Sequence, residues 1–379
     1  MLKQTNLKLY FYLSDFKKFY NVISGKIIPY FSTFHVENII VLLVCVMVLV
    51  ACERHSQTWE QMDIAKKLMN EKPDSSLVIL ENIPTSDIKG KETSARYALL
   101  KSMALDKNYI DTTTFDILQP AIDYYIQNGT PDEKLTTYYY QGRIYQNQGD
   151  DDSAMQSFMN GCDLKQSVTD SLLLAHTLVA QGTLYLKQYK TIEFIHNNMA
   201  AAKFYGAVGK NLLEIKSYTN AIDGYIMLNN KIAADSLLSI CIPLVKKNPN
   251  GEEYMFSSLL SYTIEFGSPH DIKAFLGEHQ DIDLTKDEIM DFAQGYSKIG
   301  EYDKAIKCLA EISPDASTLD SLKYASVKIG ILEKQGKIKE ALSLYKDYSV
   351  MLERHQKRLF SQDLLFADEK HQLEIKRLV

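Results

Sequence analysis

The stretch "YYYQGRIYQNQGDDDSAMQSFMNG", residues 138–161, decides the architecture. Its glycine Gly142 is followed by Tyr145, Gly149, Ala154 and Phe158, at steps of three, four, five and four. Steps of three and four keep residues on one face of a helix, and Gly149 with the following aspartates reads as a turn between two helices. The same spacing recurs. "FAQGYSKIGEYDKAIKCL" puts Ala293, Tyr296, Gly300, Ala305 and Leu309 in the five places, and "KIGILEKQGKIKEALSLY" puts Ile329, Leu332, Gly336, Ala341 and Tyr345 there. "AIDGYIMLNNKIAADSLL" follows more loosely with Ile222, Tyr225, Asn229, Ala234 and Leu238. Beyond Ser56 there is almost no alternation of period two, so the chain reads as one amphipathic helix after another.

This spacing resembles the tetratricopeptide repeat: an aromatic, a small residue four later, an aromatic three further on, a turn residue, then alanine and an aromatic four apart. The resemblance implies an all-α fold, a right-handed α-solenoid of tetratricopeptide-like helix pairs. Gly142 and Ala154 are then the closest approach of two antiparallel helices, with Tyr145 and Phe158 filling the space beside them. Positions 102, 142, 182 and 222 are equivalent and forty apart, which suggests helices longer than usual. "AQGTLYLKQY" supplies a first helix with Gly182 and Tyr185, after which the second helix reads as stretched. A degenerate unit surrounds Gly267 and another Ser102. About seven pairs are expected, stacked into one continuous array because each buries its apolar face only on its neighbours.

The head of the chain has a different composition. Residues 1–51 carry five lysines against Asp15 and Glu37, a net +3, so the total of -6 leaves -9 for the rest. An acidic body with no basic patch disfavours nucleic acid as a partner. Residues 39–50 are apolar and uncharged, about 18 Å as a helix against a hydrocarbon core of about 30 Å. They read as the h-region of a signal peptide over 1–51 behind a basic n-region, with an uncleaved anchor as the rival. "LVAC", ending at Cys52, resembles the lipobox of bacterial lipoproteins. That resemblance implies a covalent diacylglycerol on Cys52, a membrane anchor, and a place in the bacterial cell envelope facing periplasm or surface. With "AKKLMNEKPDSSLVILENI", "RYALL" and "DKNYID", the whole resembles repeat lipoproteins of Bacteroides-like bacteria.

The expected organisation is signal peptide 1–51, repeat solenoid 52–348 and a charged C-terminal helix 349–379. No catalytic motif or phosphate loop occurs, and neither the isolated histidines nor the scattered cysteines carry metal-ligand spacing. The protein is therefore read as a non-enzyme without cofactor beyond the lipid, a scaffold for a protein or peptide partner. A periplasmic sensor half of a signalling protein and a glycan-binding outer-membrane lipoprotein are the alternatives. In the repeat family, positions two, five, six and nine of each first helix face the concave side. Mapped here they give a candidate groove of Arg96, Tyr139, Tyr140, Arg143, His176, Thr183, Lys216, Asn220 and Asp223.

Overall fold

The computed structural model describes residues 57–248, 250–280, 282–312 and 318–378, of which 318–320 and 359–378 as backbone only. The proposed signal segment and Cys52 lie outside these. Among the described residues there are sixteen α-helices and no strand. They form eight antiparallel pairs: α1 (57–68) with α2 (Pro73–Glu81), α3 (Lys91–Lys107) with α4 (Gln119–Asn128), α5 (Pro131–Gln148) with α6 (Asp151–Cys162), and α7 (Ser171–Lys187) with α8 (Thr191–Ala207). Then come α9 (Asn211–Met227) with α10 (Lys231–Lys247), α11 (Gly251–Phe266) with α12 (Pro269–Glu278), α13 (Lys286–Lys298) with α14 (Tyr302–Ala310), and α15 (Thr318–Lys334) with α16 (Ile338–Leu378). Each helix packs on the next in sequence, which makes the molecule an all-α solenoid. No described helix is long and apolar enough to cross a membrane.

The pair that opened the sequence reading shows why the spacing matters. Phe158 is fully buried, and a Cβ added to Gly142 would fall 2.4 Å from its Cε1, so α5 and α6 approach as closely as they do only because Gly142 has no side chain. Thr130 and Glu133 form a capping box at the start of α5, and Asp150 accepts from the Ser153 amide at the start of α6, so the helix ends satisfy their backbone donors. In six of the eight pairs the turn between first and second helix has a residue with positive φ, between 52° and 82°: Tyr109, Gly149, Tyr189, Asn229, Gly300 and Gly336. Glycine is expected in that left-handed conformation; the two tyrosines are not, which hid those turns in the sequence.

Two expectations need correction. The second helix after Gly182 is not stretched: α8 begins at Thr191, directly after the Tyr189 turn. The places held by Ala154 and Phe158 in α6 are taken there by Phe194 and Asn198, and Asn198 is fully buried with its Nδ2 donating to the Phe194 carbonyl at 2.9 Å. The described residues hold eight pairs, the first of them, α1 with α2, formed by the upstream stretch that stands apart from the seven or so repeats. The charged C-terminal helix is not a separate element from residue 349, since α16 runs unbroken from Ile338 to Leu378 as the second helix of the last pair. Along it, His355 is buried and meets the Tyr189 ring edge-on at 5.5 Å, so α16 reaches back to the middle of the array.

Candidate functional site

First helices touch one another directly, α3 to α5 to α7 and α9 to α11 to α13 to α15, whereas no comparable contact joins successive second helices among the described residues. That asymmetry curves the array with the first helices on its inner side. From α3 onward each first helix has a buried anchor residue: Ser102, Gly142, Gly182, Ile222, Leu260, Ala293 and Ile329 in order. The residues six, three and two before the anchor and one after it form the inner wall.

In the first four pairs several of these side chains are engaged by the protein itself, beside a cavity of about 420 Å³ that Trp59, Arg96, Leu99, Leu100, Met103 and Thr136 help to line. Arg96 on α3 forms an ion pair with Asp63 on α1 and lies 4.3 Å over the Trp59 ring. Tyr139 packs edge-on against Tyr140 at 5.0 Å and against Phe158 at 6.1 Å, and burial, reinforced by the charge of Asp106, pushes its hydroxyl up to about 12. Tyr140 is only 4% exposed. Tyr140, packed among Ala95, Ala98 and Leu99 of α3, is closed to a ligand, whereas Tyr139 is half-buried. Arg143 donates from Nε to Asp106 at 3.3 Å and from Nη1 to Gln146 at 3.1 Å. His176 Nδ1 is 2.8 Å from the Tyr205 hydroxyl, and burial holds its pKa below the usual histidine value. Thr183 is exposed, with its hydroxyl donating to the Val179 carbonyl in its own helix at 3.0 Å.

From α9 onward the wall changes character. Lys216 is exposed and lies 6.0 Å over the Tyr254 ring, and Asn220 donates to Asn198 at 2.9 Å. Asp223 is the exception among the nine: its Oδ1 is shut off from solvent and has no hydrogen-bond partner among the described residues. Burial, with the charge of Asp291 adding to it, pushes this carboxyl up to about 7, although a Ser258 hydrogen bond and the Lys323 charge act to lower it. Beyond it, Ser257 donates to Glu288, and Ser261 donates to Asp291 at 2.8 Å. Lys323 lies 3.1 Å from Asp291 and 3.6 Å from Asp287. Lys298 donates to the Ile264 carbonyl and to Glu265, each at 2.8 Å.

Two cavities open on this half. One of about 390 Å³ lies between α9, α11 and α13, walled by Ile226, Met227, Ile264, Glu265, Asp291 and Gln294. The other, about 630 Å³, lies between α13 and α15 and takes in Lys298, Lys323, Lys334, Ser326 and Gly330. Gln294 lines both, so the two cavities are neighbours on the inner wall. The sequence mapping ended at Asp223 and missed Ser261, Asp291, Gln294, Lys323, Ser326 and Gly330. The signal was present: the same four offsets counted from Ala293 and Ile329 fall on Asp287, Asp291, Gln294, Lys323, Ser326 and Gly330. No group of described histidine, cysteine and acidic residues has the makings of a metal site.

No model of a known protein family matches the chain, and no curated protein matches it. Solved structures do. The crystal structure of a Rap protein complexed with Competence and Sporulation Factor superposes with a TM-score of 0.50, over 83% of this chain and 99% of that one, at 12% identity. At that identity the likeness is one of fold, and it supports a helical-repeat architecture.

Proposed function

We propose that the protein is a non-catalytic interaction scaffold whose inner wall, from α9 to α15, receives an extended segment of a protein partner. The carrying observation is a pair of neighbouring cavities, about 390 and 630 Å³, that share Gln294 and are lined in part by residues that recur at one register of successive first helices. A row of such positions matches the repeat of an extended chain rather than a compact small molecule. The similar Rap structure, which holds Competence and Sporulation Factor, is in keeping with a ligand on this fold. Proposed along with this is an envelope location, through lipid on Cys52 after removal of residues 1–51; metabolic labelling with a palmitate analogue should be lost in Cys52→Ser.

The groove is tested by panning a random-peptide phage library on the full chain and on Gly330→Trp. Gly330 lines the larger cavity and a Cβ there meets nothing within 4 Å, so the backbone accepts a side chain at this position. Selected peptides should bind the parent and lose at least tenfold in affinity on Gly330→Trp, with the helical circular dichroism unchanged. Peptides that bind both proteins equally well would place their site elsewhere.

A further inference from the structure

We infer that the cavity between α1, α3, α4 and α5 is a second binding site, for a small primary amine on an apolar stem, with the Tyr125 hydroxyl and the Glu92 carboxylate receiving its ammonium group. The site shares no lining residue with the two cavities of the groove, and it stands or falls independently of them.

Its volume of about 420 Å³ lies within the range of about 300–1,000 Å³ usual for small-molecule sites. Leu99, Leu100 and Met103 give it an apolar side. Tyr125 of α4 is only 4% exposed, its ring held in the core around Leu99 and Tyr140. The same residue lines the cavity, and its hydroxyl makes no hydrogen bond among the described residues. A buried hydroxyl without a partner has lost the hydrogen bond it makes to water, and a ligand group that restores it gains that much. Burial, followed by the charge of Glu133, raises the pKa of this hydroxyl, so it stays neutral and able to accept.

The charges around it select what it accepts from. Four carboxylates line the cavity, Glu92, Asp132, Glu133 and Asp170, against two cations, Lys66 and Arg96. Arg96 is paired with Asp63, which is not part of the lining, and the charge of Lys66 acts on Asp132. Three of the acids hold helix starts: Asp132 accepts from the amides of Thr169 and Asp170, Glu133 from that of Thr130, and Asp170 from that of Leu173. Glu92 has neither an ion pair nor a hydrogen bond among the described residues. Glu133 and Glu92 both act on the Tyr125 hydroxyl, with Arg96 alone opposing them. Negative charge beside a neutral acceptor and an apolar wall suits an ammonium group on a hydrocarbon stem. A carboxylate in the same place would be repelled by Glu92 and Glu133.

Trp59 is the single tryptophan of the chain and lines this cavity, so its fluorescence reports occupancy. Hexylamine titrated into the full chain should change that emission saturably. Hexan-1-ol should bind at least tenfold more weakly, and hexanoate should not bind. Isothermal calorimetry of the same titrations detects a bound amine that leaves the emission unchanged. Tyr125→Phe keeps the buried ring and removes only the hydroxyl, and Glu92→Gln changes an exposed side chain. Each should weaken hexylamine at least fivefold with the helical circular dichroism unchanged, and Glu92→Gln should leave hexan-1-ol unaffected. No saturable signal by either method, equal affinities for amine and alcohol, or variants that bind the amine like the parent would overturn the site. None of these results bears on the groove, which the peptide selection tests separately.

Discussion

The inner wall of α3 to α7 and that of α9 to α15 occupy the same register of the same repeat, yet they solve opposite problems. In the first, large or charged side chains turn into the seams: Tyr140 is 4% exposed, Arg96 is held by Asp63 and Trp59, and Arg143 by Asp106. In the second, small residues such as Ser261, Ser326 and Gly330 leave room, and Asp223 at the start of that stretch has an enclosed Oδ1 without a hydrogen-bond partner among the described residues. A register position in a solenoid therefore defines where a residue sits but not whether it is available. Availability depends on whether the neighbouring helix supplies a partner.

If that contrast holds, substitutions in the first half cost stability and those in the second cost binding. The largest stability effect belongs to the α5/α6 seam. Phe158→Ala removes a fully buried ring that packs against Gly142 and is expected to destabilise by about 3–5 kcal/mol, read from chemical denaturation. Gly142→Leu, which drives a side chain into the same ring, should be of comparable severity. If either variant melts like the parent, the seam is not tightly packed and the contrast fails.

Asp223→Asn should have the opposite sign. Its carboxyl titrates at about 7 in the fold against about 3.8 in an unfolded chain, so between those values the folded state binds more protons. Stability from this group is thus fully present below about pH 4 and falls as pH rises towards 7. The charges facing it are Asp291 from α13 and Lys323 from α15, and the hydroxyl facing it is Ser258 from α11. At pH 8 the asparagine variant should be more stable by about 1–3 kcal/mol, with the difference vanishing near pH 4. Equal melting curves for parent and variant across this range would remove the buried carboxyl from the account.

The helix caps give a smaller test of the same contrast. Thr130 and Thr285 each head a capping box, but only in the second does the acid, Glu288, also accept from a neighbouring helix, at Ser257. Thr130→Ala should cost about 1 kcal/mol and leave peptide affinity alone. Thr285→Ala should cost a similar amount and also loosen α11 against α13, lowering peptide affinity. Identical behaviour of the two would show that the two walls respond alike.

How much of this was legible follows from the same residues. The repeat was readable where the close approach uses glycine or alanine and the turn uses glycine or asparagine, as in α5/α6, α9/α10, α13/α14 and α15/α16. It was unreadable where Phe194 and Asn198 take those places, or where Tyr109 and Tyr189 adopt the left-handed turn, since nothing in a tyrosine announces a positive φ. How Tyr139 packs and what faces Asp223 depend on residues about twenty to a hundred positions away, and no local pattern carries that.

The smallest expected effect is the most discriminating about the first wall. Arg143 was the residue best suited by type to grip a partner's carboxylate, being a guanidinium beside two tyrosines. In the fold its Nε is 3.3 Å from Asp106 and its Nη1 is 3.1 Å from Gln146, with about a third of the side chain exposed. A partly exposed pair of this kind is worth about 0–1 kcal/mol, because solvent screens the attraction and ordering two side chains opposes it. Arg143→Ala should therefore lower stability by no more than that and leave the affinity of selected peptides unchanged. A tenfold loss of peptide binding in this variant would mean that the guanidinium leaves Asp106 for the ligand. The first wall would then join the groove, and the division between the two halves would be one of ligand-free packing only.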